Sequence, residues 1–264
     1  MGNCCGKSKA EKAAERKILW LAEKRAGEKR ARLRKQREQA DPKLKRADNQ
    51  DLKKAVKDWL DDETEAEKKY GHITNWDTSD CTDFKDLFQS AHEFDEDLSF
   101  WDVSIASNLA GMFYECNSFT SDLSSWQVGK CTDFSFMFSG AKSFTSNLGE
   151  WQVDNSVDFA CMFKEASKFN SNLRDWQVGN CRDFKKMFFR ADSFQSNLSK
   201  WNVENAMDLS EMFSGARSFN SDLSSWKIGN ATDLNNMFNG ASSFKSDLSL
   251  WSIGSAELFG DVVH

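Results

Sequence analysis

Residues 126–150 have the sequence WQVGKCTDFSFMFSGAKSFTSNLGE, one copy of a unit that fills most of the chain. The unit recurs every 25 residues without an insertion or deletion, and each copy begins at a tryptophan. These tryptophans are Trp76, Trp101, Trp126, Trp151, Trp176, Trp201, Trp226 and Trp251. A fixed period of this length is typical of repeat proteins, in which each unit packs against its neighbours. The sequence therefore predicts seven full coils and a truncated eighth over residues 76–264.

Apolar residues recur at fixed positions of the unit and predict its core. With the tryptophan as position 0, position 8 is Phe or Leu, position 11 is Met after the first coil, positions 12 and 18 are Phe and position 22 is Leu. Positions 8, 11, 12 and 15 have the spacing of one face of a helix. An Asp or Asn at position 7 is a typical helix N-cap. The alternation in Trp126-Gln127-Val128 favours a short strand at the start of each coil.

These elements predict an α/β fold, a leucine-rich-repeat-like solenoid with a parallel sheet on one face and helices on the other. Strands stack at about 4.8 Å and helices at about 8–10 Å, so we expect curvature with the sheet on the concave side. Residues 52–60 have the apolar spacing of an amphipathic helix, and a second, shorter helix is expected before Gly71. We predict that residues 49–75 form a helical cap over the apolar end of the solenoid.

Segments such as residues 226–244, WKIGNATDLNNMFNGASSF, resemble the 25-residue repeats of BspA-type leucine-rich-repeat surface proteins. The Trp, Met-Phe, Ala, Phe and Leu marks recur in register over residues 76–259. The cap around residues 52–70 is similar to the segment that precedes these repeats in microalgal and protist members. The resemblance implies a leucine-rich-repeat-like solenoid with a role in adhesion or binding. Bacterial members are exported to the surface, whereas we expect no export of this chain because it has no secretory core segment.

Charge is distributed unevenly along the chain. Residues 1–46 contain 16 Lys and Arg against 6 Asp and Glu, and the remaining 218 residues contain 19 against 35. The net charge of −6 therefore divides into +10 and −16. Residues 10–40 are also rich in good helix formers, and Asp41-Pro42 ends the helix, which predicts a basic helical arm over residues 10–48. An anionic partner is expected to meet this arm and not the repeats.

Residues 1–9 are interpreted as an acylation segment. Gly2 is placed to accept a myristoyl group, Cys4 and Cys5 are palmitoylation candidates, and Gly6 departs from the preferred Ser or Thr. A single myristoyl chain binds a membrane only marginally, so a second signal is needed. Basic side chains that would add attraction to anionic lipids are Lys7, Lys9, Lys12, Arg16 and Lys17. The alternative is an accidental Met-Gly start, two inert thiols and a solvated helix.

Outward-facing strand positions predict the surface that binds a partner. Repeat solenoids commonly bind through their concave face, which positions 1 and 24 are expected to line. The residues assigned to this surface are Gln127, Gln152, Gln177, Asn202, Phe100, Glu150 and Asp175. A soluble polar face with an amide ladder is an alternative that is compatible with binding. Tyr114, Phe136 and Phe189 are expected to face solvent on the helix side as a second contact patch.

Nothing in the sequence indicates catalysis. There is no nucleophile–base pair, phosphate-binding loop or metal-ligand spacing, and His72, His92 and His264 are far apart. We therefore expect no enzyme, no cofactor and no metal. Equivalent cysteines in alternate coils would lie roughly 10 Å apart, beyond the reach of a disulfide, so free thiols are expected. Cys161 is expected on a helix surface.

Together these features predict a non-enzymatic protein-interaction scaffold, tethered by acyl chains and the basic arm to the cytosolic face of a membrane. Its partner would be a protein of unknown identity. One alternative is a secreted or cell-surface adhesin, as in the bacterial relatives. Another is a nucleic-acid binder that uses residues 7–46, which is disfavoured because Trp20 is the only aromatic residue among the charges. No stretch approaches the about 20 apolar residues of a transmembrane helix, and a purely cytoplasmic location is also compatible.

Overall fold

The computed structural model describes residues 43–44 and 46–251. Helix α1 spans Asn49–Asp61, helix α2 spans Glu63–Tyr70, and a 3-10 turn follows at Ile73–Asn75. Two helices thus lie where the apolar spacing predicts them. Asp48 caps α1 by accepting hydrogen bonds from the backbone N–H groups of Gln50 and Asp51. Asp62 caps α2 in the same way through the N–H of Glu65.

The segment before α1 follows Asp41-Pro42, where the predicted arm helix ends. The Leu44 N–H donates to the Tyr70 carbonyl at 3.1 Å, and the Asp77 N–H donates to the Leu44 carbonyl at 3.2 Å. Ala47 is buried against the cap. These bonds hold Leu44 beside Tyr70 and Asp77, and the chain bends at Arg46, whose backbone is left-handed with φ of 50°. Gly2, Cys4, Cys5 and the basic residues predicted to face a membrane lie outside the described residues, and the domain boundaries after residues 9, 48 and 75 stay predictions.

The predicted α/β solenoid with a parallel sheet and a layer of helices is wrong. Residues 76–251 consist of turns joined by short extended stretches, with no sheet and no helix. The regular pairing in these coils is a row of isolated parallel bridges at position 7. The bridged residues are Asp83, Asn108, Asp133, Asp158, Asp183, Asp208 and Asp233. The predicted curvature depended on a sheet on one face and helices on the other, and these coils contain neither.

Left-handed residues at two positions prevent the predicted helices. Position 10 has φ between 54° and 61° in every coil from Asp86 to Asn236, and position 14 has φ between 52° and 76° from Ser90 to Gly240. A left-handed residue ends a right-handed helical turn, since only single residues adopt this conformation at tolerable cost. The chain therefore makes successive tight turns, which place positions 8, 11, 12 and 15 on one face without a helix.

The same left-handed residues direct backbone hydrogen bonds to the next coil. In the coil at residues 126–150, four alternate N–H groups donate to carbonyls of the following coil at 2.7–3.1 Å. The donors are Phe134, Phe136, Phe138 and Gly140. Residues between them close turns instead, as when the Met137 N–H donates to the Phe134 carbonyl at 3.2 Å. The segment predicted as a helix is thus the one that pairs coils, which satisfies its backbone groups.

The core lies inside the stack and consists of the predicted columns. Phe138 stacks on the equivalent Phe113 and Phe163 with ring centroids 5.6 and 5.7 Å apart. Within the coil, Phe144 stacks on Phe138 at 4.0 Å. The Trp151 indole N–H donates to the Leu123 carbonyl at 3.0 Å, and the bond recurs along the tryptophan column. Each buried indole therefore keeps a partner for its polar atom.

A serine row at position 20 joins successive coils. The Ser171 hydroxyl oxygen accepts the N–H of Leu148 in the preceding coil at 2.8 Å, and Ser171 is buried. The same bond is made by Ser121, Ser146, Ser196, Ser221 and Ser246. The first coil has Glu96 at this position. The row supplies a partner to a buried backbone N–H that would otherwise have none.

The five described cysteines are free and buried: Cys81, Cys116, Cys131, Cys161 and Cys181. Cys161 was expected on a helix surface, but it is buried at a left-handed position with φ of 57°. Burial raises the pKa of the Cys161 thiol to about 11 and those of Cys116 and Cys131 to about 12. These thiols are therefore neutral near neutral pH.

Candidate functional site

Four of the seven residues predicted to bind a partner meet in one surface cleft. Glu150, Gln152, Asp175 and Gln177 line a recess of about 370 Å³, which we name the polar cleft. Trp151 and Val153 also line it. Of the other predicted residues, Gln127 and Asn202 are exposed in flanking coils and Phe100 is half-buried, and none of the three lines the cleft. No sheet underlies this surface, so the predicted concave sheet is replaced by a local recess between coils.

The polar cleft offers hydrogen-bond acceptors and a partly compensated negative charge. The Lys200 ammonium lies 2.7 Å from Asp175, and its hydrogen bond and charge lower the pKa of that carboxyl group. The Gln177 amide donates to the Asp175 carbonyl at 3.1 Å. Within the described part of the chain, Glu150 forms no ion pair, so its carboxylate is available to a ligand. A polar or basic segment of another protein fits this chemistry better than an anion does.

An amide ladder runs beside the cleft, at position 4 and not at position 1. Asn155 donates through its side-chain amide to the Gly129 carbonyl of the preceding coil at 2.6 Å. Asn180 does the same to Asp154 at 2.7 Å. Asn205 and Asn230 continue the row. The recurrence of Asn at this position was the sequence signal that could have identified the ladder. One of its bonds, from Asn180 to the Asp154 carbonyl, stabilises the edge of the cleft.

A column of carboxylates runs along position 7, and five successive coils carry Asp there. The residues are Asp133, Asp158, Asp183, Asp208 and Asp233. Each side chain accepts a backbone N–H two residues later, as Asp158 does from Ala160 at 2.8 Å, so it stabilises a turn and not a helix start. Burial, followed by repulsion from Asp183 and Asp133, raises the pKa of Asp158. The column is a source of electrostatic repulsion inside the stack.

The end of this column is neutralised by the cap. Asp83 is opposed by Lys53 of α1, whose ammonium lies 2.7 Å from the carboxylate. Burial opposes the charge of Asp83, but the bonds to Lys53 and to the Lys85 N–H outweigh it and the pKa of Asp83 is lowered. Asn108, the next residue of the column, carries no charge. The first two coils therefore avoid the repulsion that the later ones carry.

Glu63, His72 and Glu96 meet where the cap contacts the first coil. One ligand atom from each lies within 4.8 Å of the others, and His72 Nε2 lies 3.7 Å from Glu96. His72 was expected to have no partner, so this grouping is a correction. The His72 Nδ1 accepts the Thr74 N–H at 3.4 Å, which places the ring proton on Nε2, facing the carboxylate. The distance of 3.7 Å is too long for a hydrogen bond, and in this tautomer a metal would have to displace the Nε2 proton.

No helix in the described ranges combines the length and the apolar character needed to cross a bilayer.

The stacked coils and their bonding pattern define a repeat protein with a 25-residue period. Residues 57–176 and residues 157–263 match the model of the family described as "Mycoplasma protein of unknown function, DUF285". These matches cover more than half of the chain, and the chain belongs to this family. The family is associated with BspA-like repeat proteins. No protein of curated function matches the chain.

Proposed function

We propose that this protein is a non-enzymatic interaction scaffold held at the cytosolic face of a membrane by N-terminal acylation, with the polar cleft as a partner-binding surface. The observation that carries this proposal is the convergence of four predicted binding residues in one recess. Glu150, Gln152, Asp175 and Gln177 come from consecutive coils and enclose about 370 Å³. Their side chains are exposed. Such a surface suits recognition of a polar protein segment through hydrogen bonds.

The chemistry of the described residues favours binding over catalysis. The thiols with a pKa near 12, Cys116 and Cys131, stay protonated at neutral pH and are poor nucleophiles. The carboxylates of the position 7 column are engaged with backbone N–H groups that hold turns. In a scaffold, the buried thiols belong to the core of the stack, and the position 7 carboxylates stabilise its turns. The exposed residues between the columns then determine which partner binds.

The membrane tether is supported by the sequence at the start of the chain. Gly2, Cys4 and Cys5 are followed by an arm with a net charge of +10 over residues 1–46. An acyl chain combined with a polybasic segment supplies the two signals needed for stable anchoring. The repeat marks and the cap sequence further support a BspA-type protein of the microalgal or protist kind.

The tether is tested by labelling cells that express the full chain with a clickable myristate analogue. We expect label on the wild type and none on Gly2→Ala. Cys4→Ser with Cys5→Ser should keep the myristate label, and the remaining membrane binding should then depend on the basic arm and be released by high salt. Label that does not depend on Gly2, or wild type that stays soluble, would reject the tether.

The polar cleft is tested by proximity labelling with the full chain. The double variant Gln152→Arg and Gln177→Arg introduces two bulky cations into the cleft, and partners that dock there should lose most of their labelling. Gln195→Arg introduces one such cation at an exposed position of a coil, outside the cleft, and should leave the labelling unchanged. Partners retained by both variants would show that the cleft is not the binding surface.

The association of the family with BspA-like proteins favours one other function, a surface adhesin. Protease treatment of intact cells separates the two proposals. A scaffold on the cytosolic side is protected until the cells are permeabilised, whereas an adhesin is cleaved at once.

A further inference from the structure

We infer that the protein has a second binding surface, a basic cleft in the fifth to seventh coils that receives an acidic segment of a partner protein. The cleft encloses about 660 Å³. Its lining residues that carry the argument are Phe189, Arg190, Ser214, Gly215, Arg217 and Asn239. This surface uses positions 13–16 of the coils and shares no lining residue with the polar cleft. The inference therefore goes beyond the proposed function, and it revises the expectation that an anionic partner would meet the basic arm and not the repeats.

An aromatic ring positions the cationic side of the cleft. The guanidinium carbon of Arg190 lies 5.2 Å from the centroid of the Phe189 ring, within the range of a cation–π contact. Lys186 approaches the same ring at 5.7 Å, and its ammonium is paired with Glu211 at 3.1 Å. Among the described residues Arg190 forms no ion pair. Its guanidinium is therefore held in place but keeps its hydrogen-bond donors available.

The second arginine is only weakly paired. The Arg217 Nε lies 3.8 Å from a carboxylate oxygen of Asp192, which is too long for a good hydrogen bond. The Arg217 side chain is 75% exposed, so a ligand can compete for it with little loss. Two guanidinium groups from different coils thus flank one recess.

Glycines keep the recess open. Position 14 is Arg190 in the fifth coil, Gly215 in the sixth and Gly240 in the seventh, and both glycines are left-handed. A Cβ at Gly215 would lie 2.9 Å from the Cγ of Arg190 and would press on the arginine stem. The second coil has Glu115 at this position, with the opposite charge. The third coil has Gly140 at this position, but arginine occurs there in the fifth coil alone, so the combination of glycine with arginine belongs to the later coils.

The balance of donors and acceptors identifies the ligand class. Arg190 and Arg217 supply charged donors, and Asn239 and Ser214 supply neutral ones, against the single carboxylate of Asp192. Guanidinium groups bind carboxylates through paired hydrogen bonds, and arginine clusters recognise acidic motifs in this way. Residues 47–264 have a net charge of −16, whereas the lining of this recess has two arginines and one aspartate and is therefore positively charged. An acidic peptide segment matches it, and the Phe189 ring offers an apolar wall to the stems of its glutamates.

The test is a titration of the full chain, labelled with ¹⁵N-arginine, with a blocked hexaglutamate peptide. We expect saturable shifts of the Nε–H signals of Arg190 and Arg217, assigned from their substitutions, and constant signals from Arg174 and Arg182, which lie outside the cleft. Arg190→Met and Arg217→Met should each weaken binding about tenfold or more, because a charge-assisted hydrogen-bond pair is lost. Arg174→Met removes the same charge from another surface and should bind like the wild type.

Several outcomes would overturn this inference. Absence of saturable shifts excludes a peptide site, and equal shifts at all four arginines indicate general ionic attraction. Binding of inorganic phosphate as tight as that of the peptide would make the cleft a small-anion site. Tighter binding of an oligouridylate at the same arginines would assign the surface to nucleic acid. Arg217 is exposed, so Arg217→Met keeps the fold and remains a decisive variant even if Arg190→Met unfolds.

Discussion

Replacement of Asp158 by asparagine is expected to stabilise the stack of coils at neutral pH. Asp158 lies between Asp133 and Asp183 in the position 7 column, and burial together with these two charges raises its pKa. Asparagine has nearly the same shape and retains the oxygen that accepts the Ala160 N–H. Asn108 makes the equivalent bond to the Ala110 N–H at 2.9 Å, so the amide is already tolerated in this column. The substitution removes a charge and keeps the turn.

The expected gain follows from the two neighbouring carboxylates. Like charges opposite one another in paired chains cost a few tenths to about 1 kcal/mol each. Removing both repulsions and the desolvation of one carboxylate should contribute about 1 kcal/mol, which is about 2–4 °C in Tm for a chain of this size. Because repeat arrays can unfold in parts, the Tm is a safer comparison than an extrapolated free energy.

The assay is thermal unfolding followed by circular dichroism over a range of pH. A carboxyl group whose folded pKa is raised contributes stability below its unfolded pKa, and this stability is lost as the pH rises through the folded pKa. The advantage of Asp158→Asn should therefore be full at neutral pH. It should fade on acidification and vanish below about pH 3.9, where the free aspartic acid is protonated.

Two variants control this reasoning. Asp154→Asn removes the same charge from an exposed residue of the same coil, outside the column, and should leave the Tm within about 1 °C. Asn108→Asp adds a charge between Asp83 and Asp133 and should lower the Tm by a similar amount to the expected gain. If Asp158→Asn is neutral or destabilising at neutral pH, or if its effect does not change with pH, repulsion in the column is not the cause.

Two further predictions concern the bonds that shape each coil. Gly111→Ala should lower the Tm by a few degrees, mainly because φ is 61°, and the Asp86 carboxylate, 2.0 Å from the new Cβ, would also have to move. Gly129→Ala, with its nearest atom at 3.6 Å, should be neutral by the same thermal scan. Ser171→Ala should cost about 1–3 kcal/mol in denaturant unfolding, because the buried Leu148 N–H loses its partner. A loss below about 0.5 kcal/mol would mean that water replaces the hydroxyl.

The periodic part of the fold could be predicted from the sequence. The Trp, Phe, Met and Leu columns are the buried core, because strict 25-residue spacing makes equivalent side chains neighbours along the stack. The helices at Asn49–Asp61 and Glu63–Tyr70 also follow from their apolar spacing and their capping aspartates. Both features depend on burial, which residue type reports directly, and the helices depend also on local capping bonds.

The backbone path within a coil could not be predicted from spacing alone. Apolar residues at positions 8, 11, 12 and 15 fit a helix and equally fit successive tight turns. The discriminating signal was glycine at the left-handed positions, as in Gly111, Gly140 and Gly215, but ten of the fourteen such positions hold other residues, including Phe136. Pairing between coils overrides the local preference of these residues, since it satisfies their N–H groups. Local sequence does not encode that contribution.

Four residues of the candidate site could be predicted from the sequence, but the form of the surface that they make could not. Glu150, Gln152, Asp175 and Gln177 were selected as outward positions of a concave sheet. The coils from residue 76 to residue 251 form no sheet, but these four residues line the polar cleft. Phe100 was assigned to the same surface, but its side chain is half-buried. The grouping of His72 with Glu63 and Glu96 was missed, because it depends on how the cap meets the first coil.

The uniform bonding between coils has an evolutionary consequence. Each coil gives its neighbour the same alternating N–H groups, the same serine hydroxyl and the same ring faces, so every junction is interchangeable. Duplication or loss of one 25-residue segment by unequal crossing-over would leave all remaining junctions intact. Array length can then drift in a lineage without a folding penalty at the new junction. The clefts, which depend on particular residues in particular coils, would be brought closer together or moved apart along the stack.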